Sequence, residues 1–178
     1  MPLISRPMSF AIRIATPEDA PTIADLARET FVETFGHLYP PSDLADFLES
    51  SYALDTVRAQ IGDPAQRWLI AEADGQAVGY SQAGPCGLPH PDVRPTHGEL
   101  KRIYLRAESK GTGLGRELMR RTLDWIEQNF EGPLWIGVWS ENHRAQALYR
   151  KFGFEKAGEY EFAVGETRDH EFILMRGR

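Results

Sequence analysis

The chain has 178 residues, 42% of them hydrophobic and 26% charged, which predicts one globular domain, residues 1–178, with a substantial core. A formal charge of −6 argues against a general nucleic-acid-binding protein, which needs a basic face. A single cysteine, Cys86, excludes an intrachain disulfide framework and fits a reducing compartment. No apolar run approaches the ~20 residues of a membrane span, and no apolar core follows Arg6. We therefore expect a cytoplasmic protein with no signal peptide and no membrane partner, whose residues 1–9 form a loose leader.

The first third of the chain predicts one strand followed by helices. Apolar residues alternate over Phe10–Ala15, as in a strand. Thr16–Asp19 is typical of a helix start, with a hydroxyl cap, a proline and acids in the first turn. Ser42 is predicted to cap a second helix, and a third covers Asp55–Ile61.

The middle of the chain predicts a hairpin and a further strand. Two strand-like runs, Trp68–Ala73 and Gln76–Ala83, flank an Asp74-Gly75 turn, which is a strong hairpin signal. The segment Gly84–Gly98 is rich in proline and glycine and is predicted to be a loop. β-Branched and aromatic residues then favour a strand over Leu100–Leu105.

The last third alternates helices and strands. A helix with a wide apolar face is predicted from Leu114 to about Phe130, then a buried strand over Leu134–Trp139. A short helix ends at Gly153. Phe154–Glu161 and Glu171–Met175 are predicted to be the last two strands, with His170 in the turn between them.

A glycine-rich segment, Ser109-Lys-Gly-Thr-Gly-Leu-Gly-Arg116, joins the strand that ends at Leu105 to the following helix. Glycines such as Gly111 and Gly113 permit positive φ and let a ligand approach the backbone closely. The first amides of the helix have no intrahelical partner, and the helix dipole favours negative charge there. The segment therefore predicts an anion site suited to a pyrophosphate.

Two common nucleotide motifs do not match this segment. A phosphate-binding P-loop needs Gly-Lys-Ser/Thr at its end, but Gly115 is followed by Arg116. A dinucleotide fingerprint counted from Gly113 needs a glycine where Leu118 stands.

The segment resembles instead the pyrophosphate loop of the GNAT N-acetyltransferases, Arg/Gln-x-x-Gly-x-Gly/Ala. The match is Lys110–Gly115, in which lysine replaces the usual Arg or Gln and keeps the charge without the planar fork. The run from Asn142 to Phe154, Asn-His-Arg-Ala-Gln-Ala-Leu-Tyr-Arg-Lys-Phe-Gly-Phe, resembles a second motif of the family. Residues 31–53 and the terminal strand resemble, more weakly, the spermidine/spermine acetyltransferase branch.

The resemblance covers nearly the whole chain and implies the family's fold. That fold is α/β (α+β), with a mixed, mostly antiparallel sheet of about six or seven strands flanked by about four helices. Its two central strands splay apart. The activity implied is transfer of an acetyl group from acetyl-CoA, used as cosubstrate, to an amine.

Carried over residue by residue, the resemblance implies a cofactor site. The backbone of Ile103, Tyr104 and Leu105 would bond the pantetheine arm as a pseudo-strand. Asn142 would contact the same arm, although it also suits a helix cap. The pyrophosphate would be bound by the glycine-rich segment: Lys110, Gly111, Thr112, Gly113, Leu114, Gly115 and Arg116.

Two catalytic residues are predicted. Tyr149 falls at the family's tyrosine position and could protonate the CoA thiolate as it leaves. Glu99, at the head of the central strand, could take the amine proton through a water, with His97 and Glu33 as rivals. Four helical acids could line an acceptor entrance and attract a polyamine: Glu29, Glu33, Asp43 and Asp46.

Other chemistries find little support in the sequence. No spacing of His, Asp and Glu predicts a metal site, so we expect no metal. There is no nucleophile elbow, and Cys86 is isolated in a proline-rich loop, so direct transfer is preferred to a covalent acyl-enzyme.

Three hypotheses therefore stay open. The first is an acetyl-CoA-dependent N-acetyltransferase for a primary amine of a small molecule, a polyamine being one candidate. The second is the same chemistry on an amino acid, an antibiotic or a protein N-terminus. The third is a non-catalytic acyl-CoA-binding sensor. The sequence also allows a homodimer through the terminal strands.

Overall fold

A computed structural model describes residues 6–178. Part of the predicted leader, residues 1–5, lies outside the described residues. Residues 6–9 contain no helix or strand, but Ser9 is held by the side chain of Asp74, which accepts its amide hydrogen at 2.9 Å.

Seven strands form one sheet in the order β1-β2-β3-β4-β5-β7-β6. All neighbouring pairs are antiparallel except β4 and β5, which are parallel. The strands are β1 (Phe10–Ile14), β2 (Arg67–Ala73), β3 (Gln76–Pro85), β4 (Gly98–Leu105), β5 (Leu134–Trp139), β6 (Glu155–Val164) and β7 (Thr167–Arg176). The predicted mixed, mostly antiparallel sheet is confirmed.

Five α-helices flank the sheet within the described range. They are α1 (Ala20–Phe35), α2 (Pro41–Ser51), α3 (Leu54–Gly62), α4 (Leu114–Asn129) and α5 (His143–Lys151). Ser42 does not cap α2 as predicted, because the helix begins one residue earlier, at Pro41, a residue type suited to a first helical position. His170 lies within β7 and not in a turn, since the β6–β7 hairpin is longer than its apolar pattern predicts.

The sheet is buried on both faces. Trp68, Ile70 and Tyr80 pack beneath α1 on one face. On the other face, Leu100 and Ile136 pack beneath α4. The sheet therefore separates two hydrophobic clusters, one packed under α1 and the other packed under α4.

The pairing of β4 with β5 stops early. Gly98, Glu99 and Leu100 pair with Leu134–Ile136, but Arg102–Leu105 pair only with β3. Beyond Ile136, β5 likewise pairs only with β7. The predicted splay between the central strands is therefore present, and it leaves backbone N–H and C=O groups of β4 open on one side.

A β-bulge falls at the point where the strands separate. On β3, Ala83 pairs with Leu100 and Gln82 pairs with Arg102, so Lys101 is the extra residue. A bulge re-aims side chains locally. Here it lets the consecutive residues Lys101 and Arg102 both line a cavity on the α1 side.

Candidate active site

The glycine-rich segment is built as a turn against the start of α4. Gly111 and Gly113 have φ of +80° and +87°, a region that L-residues with a Cβ avoid. The Thr112 hydroxyl donates to the Ser109 carbonyl at 2.7 Å and accepts from the Leu114 amide at 3.4 Å. Thr112 thus braces the turn, while the other amides of the first helical turn lack intrahelical partners.

Gly115 brings this turn to the end of β4. A Cβ at position 115 would lie 2.8 Å from Leu105 Cδ1, so a larger residue there would have to displace the Leu105 side chain. The helix N-terminus and the open backbone edge of β4 are therefore adjacent.

Charges around the turn divide into paired and unpaired groups. Glu117, in the first turn of α4, is paired with Arg120 and Arg121, and these hydrogen bonds lower its pKa to about 2. Lys110 and Arg116 are exposed and form no ion pair within residues 6–178. Both cations remain available to an anion at this helix start.

A cavity of about 440 Å³ lies at the splay, on the side of the sheet covered by α1 and α2. We call it the aromatic cavity, because its walls include Phe31, Phe35, Phe47, Tyr52, Trp139 and Phe162. Its charged lining residues are Glu99, Lys101 and Arg102 on β4, and Glu171 on β7. Asn142 lines it as well, and its Oδ1 caps α5 by accepting from the Ala145 amide at 3.2 Å.

The β6–β7 hairpin forms part of the cavity lining through Tyr160, Phe162 and Glu171. The Tyr39 hydroxyl donates to the Asp169 carboxylate, and Asp43 accepts from the Glu166 amide at 3.2 Å. Phe47 on α2 packs edge-on against Phe162 on β6, with ring centroids 5.8 Å apart. These contacts hold the hairpin against α2 and against Tyr39, which precedes this helix.

Glu99, the predicted base, lies near the start of β4 and lines the cavity, but its carboxylate already has hydrogen-bond partners. Its Oε2 accepts from the Gly87 amide at 2.9 Å and from Lys101 Nζ at 3.2 Å. Glu99 therefore compensates the charge of Lys101.

Tyr149 is 7% exposed on α5 and is not among the residues lining the cavity. Burial and the nearby Glu171 carboxyl raise the pKa of its phenol. Tyr149 therefore keeps its proton at neutral pH and can donate a hydrogen bond.

Glu171 is the residue that sequence reasoning missed. It lies on β7 opposite Trp139 of β5 and Tyr160 of β6, and its side chain faces the aromatic cavity. Burial, followed by the neighbouring Asp169 carboxylate, raises its pKa to about 8. A carboxyl with a raised pKa that lines a cavity is a candidate functional residue. The only sequence signal was an acid directly before the apolar run Phe172–Met175.

The rival bases lie elsewhere. His97 is buried against Trp135 of β5, whose Nε1 donates to His97 Nδ1 at 3.0 Å. Glu33 is exposed on α1. Neither lines the aromatic cavity, and the same holds for Glu29, Asp43 and Asp46, so the predicted acidic entrance is not formed there. Glu29 instead pairs with Arg106 at 2.6 Å.

Three further observations bear on the alternatives. Burial raises the pKa of the Cys86 thiol to about 11, which keeps it protonated at neutral pH. Among residues 6–178, no three His, Cys, Asp or Glu side chains group as metal ligands would. Within the same range, none of the helices combines the length and apolarity needed to span a bilayer.

A splayed parallel strand pair, a glycine turn at a helix start and a cavity at the splay together define an acyltransferase, and comparison with known proteins agrees. The chain belongs to the acetyltransferase (GNAT) family, whose model matches residues 21–154. An uncharacterised N-acetyltransferase of Lactobacillus delbrueckii subsp. lactis is 31% identical over 89% of this chain and 92% of its own. An uncharacterised N-acetyltransferase of Mycobacterium tuberculosis is 30% identical over 89% of this chain and 97% of its own.

Among solved structures, the PaiA N-acetyltransferase of Thermoplasma acidophilum in complex with coenzyme A has a TM-score of 0.76 at 20% identity. That match covers 96% of this chain and 99% of the other, and at this identity it shows a shared fold alone.

Proposed function

We propose that the protein transfers the acetyl group of acetyl-CoA to a primary amine of a small molecule by direct attack. The observation that carries this proposal is the early end of the β4–β5 pairing at Leu100. Past that residue, the open edge of β4 runs from the aromatic cavity to the glycine turn. One extended cosubstrate can therefore place its phosphates at the turn and its thioester at the cavity.

For acetyl-CoA, the proposal assigns backbone and side-chain contacts along this path. The open N–H and C=O groups of Ile103, Tyr104 and Leu105 bond the pantetheine arm. Asn142, across the splay, contacts the same arm. The amides of the turn from Gly111 to Arg116 hold the pyrophosphate, with Lys110 and Arg116 adding charge.

The reaction needs one proton acceptor and one proton donor. The amine nitrogen attacks the thioester carbonyl carbon, the C–N bond forms, and the ammonium proton passes to a carboxylate. The C–S bond then breaks, and the CoA thiolate takes the proton that Tyr149 donates. The products are an N-acetyl amide and CoA, with one proton moved from nitrogen to sulfur.

Glu171 is the better-supported base. Its pKa of about 8 suits proton transfer near neutral pH, and no lining cation is ion-paired with it within the described residues. Glu99, the base predicted from sequence, has no hydrogen bond to its Oε1 from residues 6–178, but its Oε2 compensates Lys101. Glu99→Gln and Glu171→Gln separate the two, because the true base is the one whose amide variant loses kcat.

The size of the cavity, about 440 Å³, is in the range of small-molecule sites and favours a small acceptor over a protein N-terminus. The Tyr39–Asp169 and Asp43–Glu166 contacts hold the hairpin against α2 and the segment before it. The polyamine version of the proposal depends on acids at the entrance, and the four predicted ones do not line the cavity.

Release of CoA from acetyl-CoA is the test, measured with spermidine, spermine, amino acids, aryl amines and short peptides. We expect turnover with at least one small amine and none with peptides. Peptide turnover alone would transfer the proposal to protein N-termini. Tight acetyl-CoA binding without turnover of any acceptor would favour the sensor.

A further inference from the structure

Several buried polar atoms in and beside the aromatic cavity have no partner among residues 6–178. They are Gln60 Oε1, Gln82 Oε1 and Arg102 Nη1. All three residues line the cavity. Buried polar atoms in folded proteins are almost always hydrogen-bonded, so a cluster of unpartnered ones beside an open volume indicates groups kept for a ligand.

Arg102 is the most informative of these. It follows the bulge of β4, opposite Gln82, and its guanidinium lies 4.6 Å from the centroid of the Tyr52 ring. No carboxylate of the described chain pairs with it, since Glu99 on the same wall is bonded to Lys101. Arg102 is half-buried, and a cation partly removed from water without a counter-ion is costly, which an aromatic face only partly compensates.

The opposite wall carries the complementary group. Glu171 extends from β7 across the splay from β4, and aromatic rings line the space between them. A molecule that fills this cavity therefore meets a cation on one wall, a carboxyl on the other, and apolar surface between.

We propose that the acceptor is an amine that also carries a carboxylate on an apolar or aromatic body, with its carboxylate bound by Arg102 and its amine directed to Glu171. This inference rests on the proposed function and names its substrate class. Guanidinium and carboxylate match in a two-pronged geometry, which makes Arg102 a specificity-determining residue. A polyamine lacks the anionic group and would leave Arg102 unpaired.

Two matched pairs of amines test the inference, because the members of each differ only by a carboxylate. They are phenylalanine with phenethylamine, and 4-(aminomethyl)benzoate with benzylamine; the second pair separates the two charges further. We expect the carboxylate member of at least one pair to have a kcat/KM about 10- to 100-fold higher. We also expect Arg102→Met to abolish that preference and Arg102→Lys to restore part of it.

A control and a second readout separate binding from folding. The Arg67 guanidinium lies 5.4 Å from the centroid of the Trp125 ring, outside the cavity. Arg67→Met therefore removes a stacked arginine and leaves the cavity lining unchanged. We expect Arg67→Met to keep the preference. Because Arg102 has no internal anionic partner, Arg102→Met should keep or raise Tm, whereas a structural arginine would lower it.

Binding decides the inference where turnover does not. The N-acetyl products of both pairs are titrated into the CoA-bound protein by calorimetry. Carboxylate products that bind more tightly only while Arg102 is present support the inference even if catalysis fails, which would count against the proposed function alone. Equal affinity within both pairs, or a preference that survives Arg102→Met, overturns the inference and leaves acetyl transfer standing.

Discussion

The glycine turn and the aromatic cavity are two ends of one site, built in different ways. The turn occupies eight consecutive residues, Ser109–Arg116, and its chemistry depends on backbone amides and on positive φ at Gly111 and Gly113. The cavity draws side chains from α1, α2, α3 and the five strands β3 to β7, which are distant in sequence. Under the proposed function, pyrophosphate binding would be local and would depend on backbone amides. Acceptor chemistry would be non-local and would depend on single side chains.

The sharpest way to break this comparison is Glu171→Gln. Loss of the base should lower kcat by about 10²–10⁴-fold while the Kd for acetyl-CoA stays within about twofold. Stopped-flow or steady-state kinetics and calorimetry measure the two quantities. Glu161→Gln, an exposed glutamate on the adjacent strand, is the matched control and should behave as wild type.

The pH profile sharpens the same prediction. The groups near Glu171 are the Asp169 carboxylate and four phenols. The phenols belong to Tyr39, Tyr104, Tyr149 and Tyr160, and burial raises the pKa of each phenol. We expect kcat/KM to rise with pH through an apparent pKa near 8. In Glu171→Gln this limb should vanish, leaving only the titration of the amine itself. If kcat/KM of Glu171→Gln still rises through an apparent pKa near 8, that titration belongs to another group.

Tyr149→Phe tests the donor end of the reaction. Removing the hydroxyl should lower kcat by about 10–100-fold, because the thiolate then leaves without a proton donor. The fall should be smaller with an activated thioester whose thiolate is more stable, such as acetyl-thionitrobenzoate. An equal fall with both donors would mean that Tyr149 acts by packing and not as an acid.

Gly113→Ala probes the other end of the site. A Cβ at φ +87° meets no neighbouring atom within 4 Å, so the cost is backbone strain of about 1–2 kcal/mol. We expect KM for acetyl-CoA to rise about 5- to 30-fold with kcat nearly unchanged, since strain moves the phosphate-binding amides. Gly177→Ala, which also meets no neighbour, should have no effect.

The smallest expected effect is on stability. The pKa of Glu171 is raised to about 8 in the fold, so the folded state keeps a proton that the unfolded chain releases above about 4.5. Stability should therefore fall as pH rises from 5 to 9, by roughly 2 kcal/mol after allowance for partial exposure. Thermal melts should show Tm falling about 4–8 °C less in Glu171→Gln than in wild type over that range. Parallel pH profiles in the two proteins would contradict the raised pKa.

Sequence predicted the local half of the molecule well and the non-local half poorly. The glycine turn, the Asn142 cap and the Asp74-Gly75 hairpin depend on residues close in the chain, and their signals are short motifs. Glu171 shares one face of β7 with the polar residues Thr167 and Asp169, so this part of the strand does not indicate that its side chain faces a cavity. Its pKa follows from the packing of β7 beside β5 and the aromatic walls. Arg102 depends likewise on a bulge set by pairing with β3. Two cations within the predicted central strand, Lys101 and Arg102, were the signal available.

The central claim is that one slot, between the ends of β4 and β5, joins the glycine turn to the aromatic cavity. A crystal structure with CoA tests it most directly. We predict pantetheine amides hydrogen-bonded to the backbone of Ile103–Leu105, pyrophosphate on the amides of the turn, and the CoA sulfur between Tyr149 and Glu171. A CoA whose pyrophosphate lies away from the turn, or whose sulfur points away from the aromatic cavity, would contradict the account.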